Sequence, residues 1–273
     1  MRRNRIAGLG CSRRYRNLAL YVSRRTILVG LTSVALSVTV HGGAIESLSV
    51  DDSEGPVVLG RYSTLHDGKP SAVLILHGAR GVELKPGAYE RYATALAAAG
   101  IDAYLVQYFT PADREALGAE SAPEARDDYR TARFEGWAKR ISSVVTAIMA
   151  RTDSSGRIGL LGFSLGGFVA ADTASRDKRV TALAVMYGGM PNTRVSQVKR
   201  LPPLIEIHGD ADTIVPPVKG EELVKLATSL GASVEHVVYS KRKHGFDFSD
   251  SDPMTADAIG RVVAFFRASL VAS

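Results

Sequence analysis

Cysteine and tryptophan are nearly missing from this sequence. Its 273 residues include one cysteine, Cys11, and one tryptophan. With Cys11 in the arginine-rich amino-terminal segment, the rest of the chain can form neither a disulfide bond nor a cysteine-ligated metal site. The chain is 45% hydrophobic and 23% charged, which is typical of a globular protein and excludes a collagen-like or wholly disordered one.

Acidic residues are absent from residues 1–44, although this segment contains eight arginines. These arginines more than account for the net charge of +6, because the other 229 residues carry a net charge of −2. The basic character therefore belongs to the amino-terminal segment, and the remaining chain gives no support for nucleic-acid binding.

Long hydrophobic runs are also lacking in the amino-terminal segment. The apolar run 27–40 has 14 residues, whereas a helix needs roughly 20 to cross a bilayer. The run follows an arginine-rich stretch and ends in the small residues 42–44, which is the order of an export signal with a cleavage site. Ser23-Arg24-Arg25 also resembles the core of bacterial twin-arginine signals.

We therefore expect two parts in the chain. Residues 1–44 are predicted to be an export signal that engages the export machinery, and residues 45–273 a single domain. The protein is then expected in the periplasm or outside the cell. An uncleaved amino-terminal anchor, which would keep the protein on the membrane, is the alternative.

Apolar runs typical of strands alternate with helical patterns over the rest of the chain. This alternation predicts a mostly parallel sheet with helices on both faces, hence one α/β domain. The predicted strands are 72–76, 101–106, 157–163, 180–187, 204–208 and 233–239, and the predicted helices are 87–99, 137–150, 165–175, 218–230 and 259–270.

One polar stretch, residues 108–136, breaks the alternation. It leaves the carboxyl end of a predicted strand, which is where open α/β sheets bind ligands. The many charged residues favour the interpretation that this stretch is a solvent-exposed excursion from the domain. The alternative is that it forms one wall of a substrate pocket.

The motif Gly-x-Ser-x-Gly occurs at residues 162–166, directly after a predicted strand and before a predicted helix. This context is that of a nucleophile elbow, in which a tight turn exposes a serine. A Cβ atom at Gly162 or Gly166 would collide with neighbouring backbone, and the helix directs its first N–H groups at developing negative charge. Ser164 is therefore the candidate nucleophile.

Acid and base candidates follow Ser164 along the chain, each after a predicted strand. Asp212 lies in the stretch His208-Gly209-Asp210-Ala211-Asp212, and His244 precedes Gly245. The order nucleophile, acid, base lets all three side chains meet at one edge of a parallel sheet. His244 would take the proton of Ser164 and Asp212 would orient His244, with Asp210 as the competing acid.

An acyl-transfer site also needs two backbone donors for the oxyanion. The N–H group after the nucleophile, that of Leu165, is the first candidate. The second is expected in the loop 77–81, where Ala79 is favoured and Arg80 is the alternative. His77 and His208 are interpreted as structural, because no cluster of histidine and acidic residues has metal-ligand spacing.

Over residues 57–270 the sequence resembles the dienelactone hydrolase family of α/β-hydrolases. The resemblance rests on residues 77–81, 162–167, 208–216 and 244–246. It implies a sheet core without a large cap domain, hydrolysis of small esters or lactones, and no cofactor. The best-known members use a cysteine nucleophile and a glutamate in the oxyanion loop, whereas this chain has Ser164 and Gly78 at those places.

The sequence thus predicts an exported serine hydrolase that acts on a small carboxylic ester or lactone through an acyl-enzyme. Two alternatives remain: a peptidase of the same fold, and a non-catalytic binding protein on a hydrolase scaffold. The charged run 241–243 beside His244 is interpreted as a solvated surface, with attraction of anionic substrates as the alternative.

Overall fold

One ten-stranded sheet organises the residues that the structure describes. The computed structural model describes residues 31–33, 38–40, 43–65, 68–118 and 121–271. The strands within these ranges are β1 (Leu31–Ser33), β2 (Val38–Val40), β3 (Gly43–Val50), β4 (Val57–Tyr62), β5 (Ser71–Leu76), β6 (Ile101–Gln107), β7 (Ile158–Phe163), β8 (Val180–Met186), β9 (Leu204–Gly209) and β10 (Val234–Tyr239). The helices are α1 (Pro86–Ala98), α2 (Pro111–Ala116), α3 (Pro123–Met149), α4 (Leu165–Arg176), α5 (Val218–Ser229) and α6 (Met254–Leu270).

The sheet is mostly parallel, as predicted. Its strand order is β1-β3-β4-β6-β5-β7-β8-β9-β10, and β2 pairs with β3. The six strands from β6 to β10 in this order are parallel, whereas β3 and β4 form an antiparallel edge. In parallel strands the carboxyl ends meet at the same edge, so the loops after β5, β7, β9 and β10 converge there.

Helices cover both faces of the sheet because successive strand residues point to opposite sides. In β5, Leu74 and Leu76 face the core cluster that contains Trp137 of α3 and residues of α4 and α5. Val73 and Ile75 face the cluster formed with α1 and α6. The parallel strands are thus buried on both sides, which explains their continuous apolar runs.

The polar stretch 108–136 is helical rather than irregular. It contains α2 and the first half of α3, which begins at Pro123, 14 residues before the predicted start. Thr110 and Asp113 form a capping box at the start of α2, and proline is well suited to the first turn of a helix. The apolar stripe that marks α3 in the sequence starts only near its middle, so its polar half before Phe134 gave no periodic signal.

The buried carboxylate of Asp113 ties α2 to α3. It accepts hydrogen bonds from Arg133 Nε at 2.8 Å and from the Tyr129 hydroxyl at 2.9 Å. Burial alone would raise the pKa of Asp113, but the bonds from Arg133 and Thr110 outweigh it and hold the pKa at about 2. The helical excursion therefore has a fixed position at the carboxyl edge of the sheet.

Most of the predicted export signal lies outside the described residues, namely residues 1–30, 34–37 and 41–42. Of the rest, β1 and β2 pair with β3, which begins two residues before the predicted start of the domain. None of the described helices combines the length and apolar character that a membrane span requires. The export signal and its boundary at residue 44 stay a prediction.

Candidate active site

Ser164 occupies the sharp turn between β7 and α4. Its backbone has φ 54° and ψ −120°, a conformation that few side-chain-bearing residues adopt. It caps the amino end of α4, so its hydroxyl stands at the edge of the sheet rather than in the core. The strained turn is the backbone geometry expected of a nucleophile elbow.

Two glycines make this turn possible. A Cβ atom on Gly162 would lie 2.2 Å from the carbonyl oxygen of Gly166, and one on Gly166 would lie 2.3 Å from that of Leu76. These obstacles are backbone atoms, which side-chain rotation does not relieve. The spacing of glycines in the motif therefore reflects close packing of three backbone segments.

His244 connects Ser164 to Asp212. His244 Nε2 lies 2.9 Å from Ser164 Oγ, and His244 Nδ1 lies 2.6 Å from Asp212 Oδ2. The Asp212 side chain is fully buried, whereas the His244 side chain is 20% exposed. The ring of Tyr187 packs edge-on against the His244 ring, with centroids 4.7 Å apart. The structure thus brings the three predicted residues into one hydrogen-bonded chain.

Asp212 and Asp210 have different surroundings. Asp212 Oδ1 accepts the backbone N–H groups of Ile214 at 2.8 Å and Val215 at 3.0 Å, leaving Oδ2 to face His244. Asp210 is exposed and accepts the backbone N–H of Lys241. Asp210 therefore shapes the turn beside the site, and only Asp212 contacts the histidine.

The predicted oxyanion donors line the cavity beside Ser164. Leu165 begins α4 and Ala79 lies in the loop after β5, and both contribute to the cavity wall that contains Ser164. Within the described part of the chain, neither backbone N–H group has a hydrogen-bond partner. Arg80 lines a neighbouring depression instead. Two unpaired N–H groups on residues that line the same cavity as Ser164 are consistent with the predicted oxyanion donors.

His77 holds the loop 77–81, which carries the predicted oxyanion donor Ala79. Its ring is buried and stacks on Tyr108 with centroids 4.2 Å apart. Burial lowers the pKa of His77 to about 4, so the ring is neutral near pH 7, and Nδ1 lies 2.8 Å from the carbonyl oxygen of Gly78. Since Gly78 O can only accept, Nδ1 carries the proton. The peptide between Gly78 and Ala79 is thereby fixed, with its N–H opposite the carbonyl.

A cavity of about 470 Å³ opens at Ser164. Apolar side chains share its wall with polar and charged ones, and the first half of α3 contributes four of the lining residues. The lining residues are Ala79, Asp127, Arg130, Thr131, Phe134, Ser164, Leu165, Phe168, Pro191, Asn192, Thr193, Ile214, Val215, Pro216 and Lys219. The interpretation of residues 108–136 as only a solvated excursion is wrong, because this segment forms one wall.

The sequence left a pocket wall as the alternative for residues 108–136, but it did not predict that the first half of α3 forms that wall. Phe134 and Trp137 are spaced as on one helical face, which is the signal that would have extended the predicted helix towards Arg130. The charged run 241–243 does not contribute to the wall, and Arg242 pairs with Asp252 through bonds of 2.8 and 2.9 Å. A second groove, of about 570 Å³, lies at the opposite ends of the strands, far from Ser164.

The family model of the dienelactone hydrolase family matches residues 60–270. The match covers the elbow, the acid loop and the histidine loop described above. The chain belongs to the dienelactone hydrolase family. No curated protein sequence matches it.

Solved structures with the same fold include other members of this family and more distant hydrolases. A dienelactone hydrolase from Anabaena variabilis has a TM-score of 0.65 at 20% identity, covering 84% of this chain and 100% of that one. An esterase from the archaeon Pyrobaculum calidifontis has a TM-score of 0.62 at 19% identity, covering 82% and 83%. An acylaminoacyl peptidase from Pyrococcus horikoshii has a TM-score of 0.66 at 13% identity, covering 83% of this chain and 41% of the peptidase.

Membership of the dienelactone hydrolase family makes this chain a carboxylic ester hydrolase of the α/β-hydrolase fold. One departure from the best-known members, glycine at position 78 in place of glutamate, can be located in the structure. A Cβ atom on Gly78 would lie 3.5 Å from Ser164 Cβ, so a side chain there would stand directly beside the nucleophile. In this chain a glycine therefore leaves the space beside Ser164 free of a side chain from position 78.

Proposed function

We propose that this protein is a serine esterase that hydrolyses a small carboxylic ester or lactone through an acyl-enzyme. The observation that carries the proposal is the chain of hydrogen bonds from Ser164 to His244 and from His244 to Asp212. This chain ends at a cavity that Ala79 and Leu165, the two predicted oxyanion donors, also line. An intact arrangement of this kind argues against a non-catalytic binding protein.

In the first half-reaction, Ser164 Oγ attacks the ester carbonyl carbon while His244 Nε2 takes the hydroxyl proton. The carbonyl oxygen becomes an oxyanion facing the two backbone N–H groups. The tetrahedral intermediate then breaks its bond to the leaving oxygen, which receives the proton from His244 Nε2. The alcohol departs, and the acyl group stays on Ser164.

In the second half-reaction, water repeats these steps on the acyl-enzyme. His244 takes a proton from the water as the water oxygen attacks the acyl carbon. The bond to Ser164 Oγ breaks, and the serine regains its proton from His244. For a lactone, the alcohol and the acid stay in one product molecule, because the broken bond was part of a ring.

The cavity sets the size and character of the substrate. A volume of about 470 Å³ is within the range that accommodates small ligands. Phe134, Phe168 and Leu165 supply apolar contact, while Arg130 and Lys219 stand in the same wall. This lining suits a compact ester with an apolar body and polar substituents.

The test is turnover by the purified protein of a panel of short aryl esters, lactones and peptides, with Ser164→Ala as control. The proposal predicts hydrolysis of esters or lactones by the wild type and loss of this activity in the variant. Faster cleavage of peptides than of every ester would favour the peptidase. Equal rates for wild type and variant would exclude Ser164 as the nucleophile.

We also propose that residues 1–44 direct export and are removed. Support comes from the eight arginines, the 14-residue apolar run and the small residues 42–44. Amino-terminal sequencing of protein from the native host should find a mature chain that starts near residue 45. Replacing Arg24 and Arg25 by lysine should block export through a twin-arginine route. An intact Met1 terminus in the cytoplasm would contradict export.

A further inference from the structure

Two fully buried ionisable side chains stand on a strand of the parallel sheet, beneath the acid of the site. Glu206 and His208 are two residues apart on β9 and face the same side as Leu204, which packs in the cluster with α5. The intervening residues Ile205 and Ile207 belong to the opposite core. Buried ionisable groups are costly in such a strand unless they are paired, so their contacts need explanation.

His208 links Glu206 to the loop that carries Asp212. Its Nδ1 lies 2.8 Å from Glu206 Oε1, and its Nε2 lies 2.9 Å from the carbonyl oxygen of Val215. The same Nε2 lies 3.4 Å from Asp212 Oδ2, the oxygen that faces His244. Val215 in turn donates its N–H to Asp212 Oδ1. His208 therefore contacts the acid both directly and through Val215.

These contacts favour a His208 ring with a proton on each nitrogen. A backbone carbonyl has no proton to give, so Nε2 must carry one to bond Val215, and Nδ1 faces a carboxylate. With a proton on each nitrogen the ring is an imidazolium. Burial would lower the pKa of His208, but the hydrogen bond and charge of Glu206 outweigh it and raise the pKa above its ordinary value.

We propose that His208 is a positioning residue, an imidazolium clamped between Glu206 and the Asp212 loop that holds the Asp212 carboxylate against His244 and balances its charge. The inference rests on the proposed function, because it assigns His208 a role in supporting the Ser164–His244–Asp212 chain. His208 is not among the residues that line the cavity, so it acts on the reaction only through Asp212.

The charges around His208 determine how the pH dependence of the activity changes when His208 is replaced. Glu206 faces it from β9, Asp212 from the following loop and His236 from β10, where His236 Nε2 lies 3.1 Å from Glu206 Oε2. His244 lies beyond Asp212, and Glu221 of α5 is near His236. Without the imidazolium, the net negative charge that Glu206 and Asp212 place near His244 would grow by one unit. His244 would then hold its proton to a higher pH.

The main test compares the pH dependence of kcat/KM for a short aryl ester in wild type and His208→Gln. Glutamine retains an N–H group that can reach the Val215 carbonyl but carries no charge. The acid limb is the fall of kcat/KM on the low-pH side of the profile. In His208→Gln we expect this limb to move to higher pH by about one pH unit or more, with KM nearly unchanged. A limb that stays in place would overturn the inference.

Two further variants separate charge from packing. In the double variant Glu206→Gln/His208→Gln the pair is neutral again, so the acid limb should return towards its wild-type position. His236→Gln removes the histidine on the other oxygen of Glu206, which has no contact with Asp212 among the described residues. The acid limb of its pH profile should therefore move less than that of His208→Gln. If the double variant shifts as far as His208→Gln, the effect is structural and the proposed role is wrong.

A measurement on the unmodified protein covers the case in which His208→Gln does not fold. Ring ¹⁵N NMR of the full-length wild type should show both nitrogens of His208 protonated at pH 7.5, and a neutral ring would overturn the inference. Labelling of Ser164 by a fluorophosphonate distinguishes the two levels of failure. An enzyme that labels but has a neutral His208 disproves only the clamp, whereas absence of labelling disproves the proposed function and the clamp with it.

Discussion

Ser164, the proposed nucleophile, and Asp212, the proposed acid, are placed by different kinds of interaction. The turn that carries Ser164 is set by crowded backbone, since glycines at 162 and 166 stand where a Cβ atom would strike carbonyl oxygens. The loop that carries Asp212 is set by hydrogen bonds and charges from Val215, His208 and His244. The first arrangement is steric and the second is electrostatic.

This difference has consequences for pH and for mutation. Steric placement depends on atomic size and is independent of proton concentration. Electrostatic placement depends on which groups are charged, so it changes as histidines and carboxylates titrate. Variants of the elbow and of the loop that carries Asp212 should therefore both lose activity, but only variants of the Asp212 loop should change its pH dependence.

The largest effect on kcat is expected in the loop placed by electrostatic contacts, from Asp212→Asn. Asparagine keeps the size of the side chain but loses the charge that orients His244, and in the serine-protease precedent such a change lowers kcat by roughly 10⁴-fold. Asp210→Asn is the matched control and should change kcat little, because Asp210 is exposed and bonds only to a turn. Steady-state kinetics on one ester decides, and the reverse ranking would transfer the acid role to Asp210.

A smaller effect on kcat is expected in the sterically crowded turn at Ser164, from Gly166→Ala. The added Cβ atom would meet the carbonyl oxygens of Leu76 and His77 at 2.3 and 2.5 Å, so the elbow must move away from the oxyanion loop. A displacement near 1 Å costs on the order of 10²-fold in rate. Gly260→Ala, in an uncrowded position of α6, is the control and should leave kcat unchanged. Equal kcat in both variants would remove the steric account.

The pH profile sharpens the same contrast. On the acid side, the rate should fall about tenfold per pH unit as His244 takes the proton that blocks its role as base. Gly166→Ala should show the wild-type profile at a lower level, because its defect is steric. A rate that stays flat from about pH 5 to 8 would contradict the assignment of His244.

The smallest effect concerns stability in the loop after β10. Burial raises the pKa of Asp247 to about 6, whereas an aspartate in the unfolded chain titrates near ~3.9. The folded state thus favours the protonated carboxyl, and its stability should fall by about 3 kcal/mol at most as pH rises from about 4 to 7. Asp247→Asn still offers an acceptor to the Tyr92 hydroxyl. Because asparagine does not titrate, the stability of this variant should not show the same fall as pH rises.

Urea unfolding at pH 4.5 and 7.5 measures that difference. Relative to wild type, Asp247→Asn should gain stability at the higher pH, whereas Asp250→Asn, with a side chain 84% exposed, should not. A gain of the same size at both values of pH would show that charge burial at Asp247 is not the cause.

Part of this account could be predicted from sequence because chemistry constrains it locally. The elbow needs glycines around Ser164, and the order of Asp212 and His244 along the chain follows from where parallel strands end. The part of α3 before Arg130 could not be predicted from hydrophobic periodicity. Its position depends on contacts between distant residues, such as the ion pair between Asp113 and Arg133. The role of His208 depends on β9 facing α5, which no local pattern reveals.

The most direct test of the central claim is intact-protein mass spectrometry after treatment with a fluorophosphonate. Ser164 Oγ should attack the phosphorus and displace fluoride, giving one adduct per molecule in the wild type. Ser164→Ala should gain no adduct while keeping the same unfolding temperature, because it deletes a single oxygen from a site built mainly by backbone. A wild type without an adduct, or a variant labelled equally well, would contradict the assignment of Ser164 as the nucleophile.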